Sequence, residues 1–357
     1  MQRGGRFAGA KSKRAGNKDG ISQPDMRTQI CITIDTEFSI GGAFSDPERR
    51  RPIGEENVTC PVAGREQGLG FLLDTFARHG VRATFFVEAL QTAWFGDEPM
   101  GRMVERIIAF GQDVQLHLHP CWTTFRRPDW RARLGGRDPD DRCDGREPAD
   151  VQRLIEDGAA ALQRMGAPRP IALRTGNLRA DRAIYRAMRT AGLPVASNIG
   201  LGLNRPSDPE LRLRGGRRRI EGVLEVPVLT YRQPVGGRDR LFTTTSTSWR
   251  ETEHLLWAAR AARVETIVLL THPFEFIKGD RLRPERLRVN RINQGRLERL
   301  CAFLAANRDS FDAPSIVEAA PGWLEAADVP EPALETPFWP AVGRAVENRA
   351  NDLIAAL

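Results

Sequence analysis

Cysteine is scarce in this chain and follows no recognisable pattern. The 357 residues include five cysteines, which are widely spaced, odd in number and without any Cys-x-x-Cys pair. A disulfide framework needs an even number of cysteines, and zinc ribbons need closely paired ones. The sequence therefore argues against both classes and fits a reducing compartment.

Long apolar runs are also missing. No stretch approaches the roughly 18 apolar residues that cross a bilayer. The basic residues near the N-terminus are not followed by the apolar region of a signal peptide. We therefore expect a cytoplasmic protein without a membrane span.

Lysine is nearly absent, with four in the chain, so arginine supplies almost all of the positive charge. The formal net charge is +7, but residues 1–28 hold seven basic and two acidic residues, which accounts for +5 and leaves about +2 for the rest. A body of such low charge argues against a nucleic-acid partner. Residues 1–27 have almost no large apolar side chains and are predicted to be a disordered basic tail.

Strand patterns and helix patterns alternate along the rest of the chain, which predicts an α/β fold with a parallel sheet. No glycine-rich dinucleotide fingerprint follows the first strand, which favours a (β/α) barrel over a Rossmann sheet. Residues 202–222 look irregular, and Ala313–Val317 is predicted as a last strand. We expect a barrel over residues 28–325 and a helical extension over residues 326–357.

Polar side chains collect where the predicted strands end. These are two acids, three histidines and an arginine: Asp35, Glu37, His117, His119, Arg174 and His272. In a barrel the C-terminal strand ends face one common mouth. His117 and His119 are two positions apart on a strand and therefore point to the same face. Two imidazoles beside a carboxylate suit a divalent metal and leave coordination positions open, as in a catalytic site.

Five ordered motifs over about residues 29–320 resemble those of a known family. They are ITIDTE, RATFFV, DVQLHLHP, LRTGNLR and LLTHP. Together they resemble the polysaccharide deacetylases with a NodB-homology domain, known as carbohydrate esterase family 4. The chain departs from the family pattern in having His-x-His where His-x-x-x-His is usual, and Glu37 where an aspartate is commoner.

The resemblance implies a distorted (β/α)7-type barrel of the NodB-homology type. It also implies a hydrolase that removes an N-acetyl group from a sugar or glycan by attack of a metal-bound water. By the motif match, Asp35 is the catalytic base, His272 the general acid and Arg174 the group that orients the base. The branch that the motifs resemble is linked to surface-polysaccharide and lipopolysaccharide biosynthesis in bacteria.

The same match implies the metal ligands Glu37, His117 and His119, of which His119, the histidine before proline, is the safer assignment. Zinc is the favoured ion, with cobalt, nickel, iron or manganese as alternatives. The sequence identifies no acid that orients His272, because the segment VASNIG contains none and Glu275 lies only three positions away.

Other readings of the sequence stay open. The substrate of the hydrolase could be another linear or cyclic amide, as in allantoinase-like relatives, and a metal-free, non-catalytic glycan-binding module is a third hypothesis. The aromatic residues Trp122, Phe125 and Trp130 could stack on sugar rings or pin their own loop. The basic run 212–219 could contact a diphosphate or form a solvated loop.

Overall fold

The computed structural model describes residues 27–134, 139–234 and 236–356, so the predicted tail lies, up to residue 26, outside the described residues. One sheet holds nine strands: β1 Thr28–Thr36, β2 Ala83–Glu88, β3 Asp113–Leu118, β4 Ala172–Thr175, β5 Val195–Ala196, β6 Arg218–Ile220, β7 Val223–Glu225, β8 Thr266–Thr271 and β9 Phe311–Asp312.

Eight longer helices surround the sheet: α1 Leu69–His79, α2 Glu98–Ala109, α3 Pro148–Arg164, α4 Arg182–Ala191, α5 Trp249–Ala261, α6 Arg291–Ala306, α7 Ile316–Glu325 and α8 Phe338–Ala356. Short helical turns occur at Glu56–Thr59, Thr92–Phe95, Pro120–Arg126, Trp130–Leu134, Gly176–Leu178, Pro209–Leu211, Pro273–Phe276 and Pro284–Arg286. Three small hairpins pair Pro61–Val62 with Arg65–Glu66, Thr230–Arg232 with Asp239–Leu241, and Ile277–Lys278 with Arg288–Val289.

The sheet is mostly parallel, as predicted. Its strand order is β8-β1-β2-β3-β4-β5-β7-β6, with β9 also paired to β1, and β6 alone runs antiparallel to its neighbour. Within the described residues no continuous ladder closes the sheet into a barrel. Only isolated contacts connect strand β8 to the segment that follows β7. The Leu229 N–H donates to the Val268 carbonyl, and a single β-bridge joins Thr243 to Leu270.

Strand β1 lies inside the sheet and its two faces differ. Ile30, Ile32 and Ile34 belong to the main hydrophobic core under the helices, whereas Cys31 belongs to a second apolar cluster. Because successive side chains alternate between faces, Thr33 and Asp35 lie on the side of Cys31. The β-branched run thus drives a buried strand whose C-terminal end presents polar groups to one side of the sheet.

The prediction of a strand at Ala313–Val317 is wrong. The Ser315 hydroxyl accepts a hydrogen bond from the Glu318 N–H, and the Glu318 carboxylate accepts one from the Ser315 N–H, so a capping box begins helix α7 there. The preceding residues Phe311–Asp312 supply the last strand instead. The irregular segment 202–222 likewise contains an edge strand, Arg218–Ile220, whose charged residues conceal the usual apolar alternation.

The C-terminal helix α8 is tied to the rest of the molecule by charged contacts. Arg344 forms a salt bridge with the fully buried Glu251 at 2.9 Å. The largely buried Arg296 of α6 pairs with Glu347 and donates to the Asn348 side chain. None of the described helices is both long and apolar enough to cross a membrane.

Candidate active site

The six side chains that the sequence singled out converge at one end of the sheet. Asp35 lies on β1 and Glu37 directly after it, His117 lies on β3 and His119 directly after it, Arg174 lies on β4, and His272 follows β8. Each stands at a C-terminal strand end, where parallel sheets place ligand and catalytic groups.

Glu37, His117 and His119 form a cluster that could hold a metal ion. One ligand atom from each residue lies within 4.8 Å of the others. The Glu37 Oε2 atom is 2.9 Å from His119 Nε2 and 3.5 Å from His117 Nε2. Ligands of a tetrahedral ion lie about 3.4 Å from one another when each is about 2.1 Å from the metal. The donor set and its spacing therefore fit a divalent cation.

The other nitrogen of each imidazole in this cluster is fixed by a hydrogen-bond partner. His117 Nδ1 lies 2.8 Å from the Arg174 carbonyl oxygen, and His119 Nδ1 lies 2.6 Å from Asp141 Oδ2. An oxygen at that position selects the tautomer with the proton on Nδ1 and turns Nε2 toward the metal position. Asp141 was not predicted, because it lies in a polar loop that is rich in acids.

The cluster shifts the ionisation of its own members. Burial alone would raise the pKa of the Glu37 carboxyl, but the neighbouring imidazoles, chiefly His119, hold this pKa well below its usual value. Burial lowers the pKa of His119, yet Glu37 and Asp141 outweigh it and hold this pKa well above its usual value. His119 therefore holds its proton beside the charged Glu37 carboxylate, and the binding of a divalent cation would have to release that proton.

Asp35 stands beside the cluster with one oxygen held and the other free. Its Oδ1 atom accepts a hydrogen bond from the fully buried Arg174 guanidinium at 2.8 Å. The same guanidinium donates hydrogen bonds to the hydroxyls of Thr33 and Ser197. Its central carbon lies 4.2 Å from the centre of the Phe86 ring. The Oδ2 atom lies 3.9 Å from His117 Nε2 and also 3.9 Å from His272 Nε2. Within the described residues no hydrogen bond to Oδ2 is found, so Asp35 presents this oxygen between His272 and the cluster of Glu37, His117 and His119.

His272 is oriented by the acid that sequence reasoning set aside. Its Nδ1 atom lies 2.9 Å from Glu275 Oε1, within the turn that Pro273 begins. Residues three apart lie above one another in such a 3₁₀ turn, so the short separation helps the contact rather than preventing it. Thr244 and Thr271 donate their hydroxyls to the other oxygen of Glu275. Burial lowers the pKa of His272, but Glu275 first and Asp35 second raise it to about 9.

Glu88 is a further acid that the sequence reasoning missed. It ends strand β2, directly after the motif RATFFV, and its side chain is fully buried. The carboxylate accepts hydrogen bonds from the backbone N–H groups of His119 at 3.0 Å, Gln91 at 3.1 Å and Leu90 at 3.2 Å. Burial raises its pKa to about 8. Glu88 therefore fixes the backbone of His119 in the cluster. Its position at a strand end was the available signal.

The aromatic residues after the histidines pin their loop, which is the second of their two predicted roles. Trp122 and Trp130 are only 1% and 4% exposed. Phe125 stacks on Phe44 at 5.1 Å, and Trp94 contacts both Phe125 and Trp130. Their faces are covered by one another and present no stacking platform for a sugar.

The basic run 212–219 is partly neutralised within the molecule. Three of its arginines pair with acids on other segments: Arg214 with Asp239, Arg217 with Glu265 and Arg219 with Asp328. These pairs join the edge of the sheet to neighbouring segments. These three arginines therefore contribute to the fold. The contact with a diphosphate and the solvated loop stay the two predictions for the run.

Comparison with known proteins adds a likeness of fold. No family model and no curated protein matches the chain. A Mycobacterium smegmatis structure named as a polysaccharide deacetylase aligns with a TM-score of 0.50 and 14% identity, over 89% of this chain and 98% of that one. A family 4 carbohydrate esterase from Streptomyces lividans, solved in complex with acetate, aligns with a TM-score of 0.41 and 12% identity, over 86% and 99%. The first alignment shows that this chain shares its α/β fold with the Mycobacterium smegmatis protein.

Proposed function

We propose that this protein is a metal-dependent hydrolase that removes an N-acetyl group from a sugar or glycan. The observation that carries the proposal is the presence of three separate functional units at one end of the sheet. They are the Glu37, His117 and His119 cluster, an aspartate held by a buried arginine, and a histidine held by a carboxylate. Hydrolysis of an amide needs these three things together: an electrophile, a base and an acid.

Glu37, His117 and His119 would hold the divalent cation, with zinc as the first choice for two nitrogens and one carboxylate oxygen. When bound, such a cation supplies Lewis acidity, which polarises an acyl oxygen and lowers the pKa of a water molecule. Asp141 and the Arg174 carbonyl keep the two imidazoles in the tautomer that this role requires. Glu88 holds the backbone of His119 in place.

Asp35 is the base in this proposal. Arg174 anchors Oδ1 and leaves Oδ2 to accept a proton from the attacking water. His272 is the acid in this proposal. Its Nδ1 atom contacts the Glu275 carboxylate, so its Nε2–H group points toward the gap between His272 and Asp35. As the C–N bond breaks, His272 gives this proton to the departing nitrogen, and the products are acetate and a free amine.

The decisive experiment separates proton transfer from metal binding. Asp35→Asn keeps a hydrogen-bond acceptor for Arg174 but cannot take a proton. Acetate release should fall by about 10²–10⁴-fold, while the metal content of the purified protein stays that of the wild type. Asp129→Asn, an exposed acid paired with Arg133, is the matched control.

The substrates to test first are N-acetylated intermediates of bacterial surface polysaccharides, because the sequence motifs resemble the branch linked to them. Near-normal turnover by Asp35→Asn would show that the base is another group. A purified protein that carries no divalent metal, and in which Glu37→Ala changes nothing, would favour the glycan-binding module instead. Ring opening without acetate release would favour another amide substrate.

A further inference from the structure

Arg281 lies beside the candidate active site without belonging to any of its three units. Its guanidinium carbon stands 4.4 Å from the centre of the Phe274 ring. The Phe274 ring in turn stacks on His272, with ring centres 4.8 Å apart and planes 28° apart. One aromatic ring therefore connects the arginine to the proposed acid.

A hydrogen-bonded path connects the same arginine to the metal cluster. The Arg281 guanidinium donates to Asn57 Oδ1 at 2.6 Å, and Asn57 Nδ2 donates to the Glu37 carbonyl oxygen at 2.8 Å. Asn57 is only 2% exposed, so its amide is a fixed bridge. Arg281 is thus held by two neighbours. Phe274 stacks on the proposed acid, His272, and Asn57 is hydrogen-bonded to the backbone of the proposed ligand Glu37.

Among the described residues, the charge of Arg281 has no carboxylate as a counter-ion. In the described part of the chain no carboxylate lies within 4.0 Å of its guanidinium, and the acceptor it uses is a neutral amide. Arg174, by contrast, is paired with Asp35, and the exposed Arg283 two positions farther on lies 3.9 Å from Asp280. A guanidinium presents five N–H donors in a planar fork that matches carboxylate and phosphate oxygens. Stacking on Phe274 holds that fork in place before any ligand arrives.

We propose that Arg281 binds an anionic group of the substrate, and that the substrate is an N-acetylated sugar carrying a phosphate or carboxylate. The inference rests on the proposed deacetylase function and narrows its substrate class. Arg281 contacts the turn of His272 and the backbone of Glu37 through single neighbours, so the bound anion lies at the rim of the reacting centre. A neutral N-acetylated sugar would occupy the reacting centre but would offer the Arg281 guanidinium no anionic partner.

The test compares three probes that share an acetamido group: N-acetylglucosamine, N-acetylglucosamine-1-phosphate and N-acetylmuramic acid. In Arg281→Gln the kcat/KM ratio of the preferred anionic probe to the neutral one should fall by about 10–100-fold, the usual loss for a charge-assisted hydrogen bond. Arg281→Lys should give an intermediate ratio, because it keeps the charge and loses the fork. The probe that responds identifies the anion as phosphate or carboxylate.

Arg283→Gln is the matched control, since that side chain is 58% exposed and lies in the same segment. It should leave the ratio unchanged. Equal losses for all three probes in Arg281→Gln would mean that Arg281 only supports Phe274 and Asn57. An unchanged ratio would overturn the proposal as well.

Calorimetric binding of the same probes to Asp35→Asn, with and without Arg281→Gln, separates this inference from the proposed function. Binding does not need turnover, so tighter binding of an anionic probe that depends on Arg281 supports the inference even if no acetate is released. Acetate release without any dependence of binding or turnover on Arg281 keeps the proposed function and rejects the anion site.

Discussion

The contact between His272 and Glu275 gives a quantitative prediction about pH. Glu275→Gln keeps an oxygen that can accept from Nδ1 but removes the negative charge. In the native protein burial lowers the pKa of His272 and Glu275 raises it, with the net result of about 9 against an ordinary value of 6.5. The difference corresponds to about 3 kcal/mol of preference for the charged imidazole.

Removing the Glu275 charge leaves burial to lower the pKa of His272, opposed only by the more distant Asp35 and Glu37. An opposite charge at this distance usually shifts a pKa by about 1–3 units. We therefore expect the pKa of His272 to fall by at least about one unit in the variant. As the proposed acid, His272 must be protonated, so activity is retained below this pKa and lost above it.

The assay is the pH profile of kcat/KM for acetate release. The wild type should lose activity as the pH rises through about 9, and Glu275→Gln should lose it at a lower pH. A direct titration of His272 by NMR assigns the change to the imidazole. An alkaline limb that stays in place, together with an unmoved His272 titration, would refute the assignment of Glu275 as the orienting charge.

The same pair should also contribute to folding with a defined sign. Because the folded pKa of His272 is raised, the stabilisation is fully present below about pH 6.5 and is lost as the pH rises through about 9. The free energies of unfolding of the wild type and Glu275→Gln, measured with urea, should therefore differ most near pH 6 and become equal by pH 10. Glu298→Gln, which removes an exposed partner of Arg78, should show no such convergence.

Two further predictions concern groups that support the site. Asp141→Asn should weaken the affinity for zinc by about 10–100-fold, because it removes the carboxylate that contacts His119 Nδ1. Competition with a chromophoric chelator measures this affinity, and an unchanged value would show that Asp141 does not support the site. Arg174→Met should destabilise the protein by about 3–5 kcal/mol, because it removes the hydrogen-bonded partner of the buried Asp35 carboxylate. Urea unfolding measures this loss, and a value below about 1 kcal/mol would contradict the pairing.

The residues that sequence reasoning found share one property, which is that each stands at the end of a recognisable strand. Asp35, His117 and His272 follow apolar runs, so a parallel sheet alone predicts that they meet. Asp141 follows no such run and is one of several acids in a polar loop. Its selection depends on the course of that loop, which periodicity does not encode.

Glu275 and Ser315 were misjudged although local signals were present. The proline after His272 begins a 3₁₀ turn, and that turn brings positions three apart together. Ser315 and Glu318 have the spacing of a capping box, which predicts a helix start rather than a strand. Arg281 had no such signal, because its place depends on Asn57, which lies 224 positions away.

The position of β1 has a consequence for how the chain folds. Its neighbour β8 comes late in the sequence, and the Thr33 hydroxyl reaches the Leu269 carbonyl across a separation of 236 residues. At a synthesis rate of about 5–20 residues per second, β8 is made about 10–50 s after β1, and one edge of β1 stays unpaired during this time. Parallel pairings of such high contact order form slowly and leave apolar strands exposed to mispairing. Asp35, the proposed base, thus lies on the strand that is synthesised first and completed among the last.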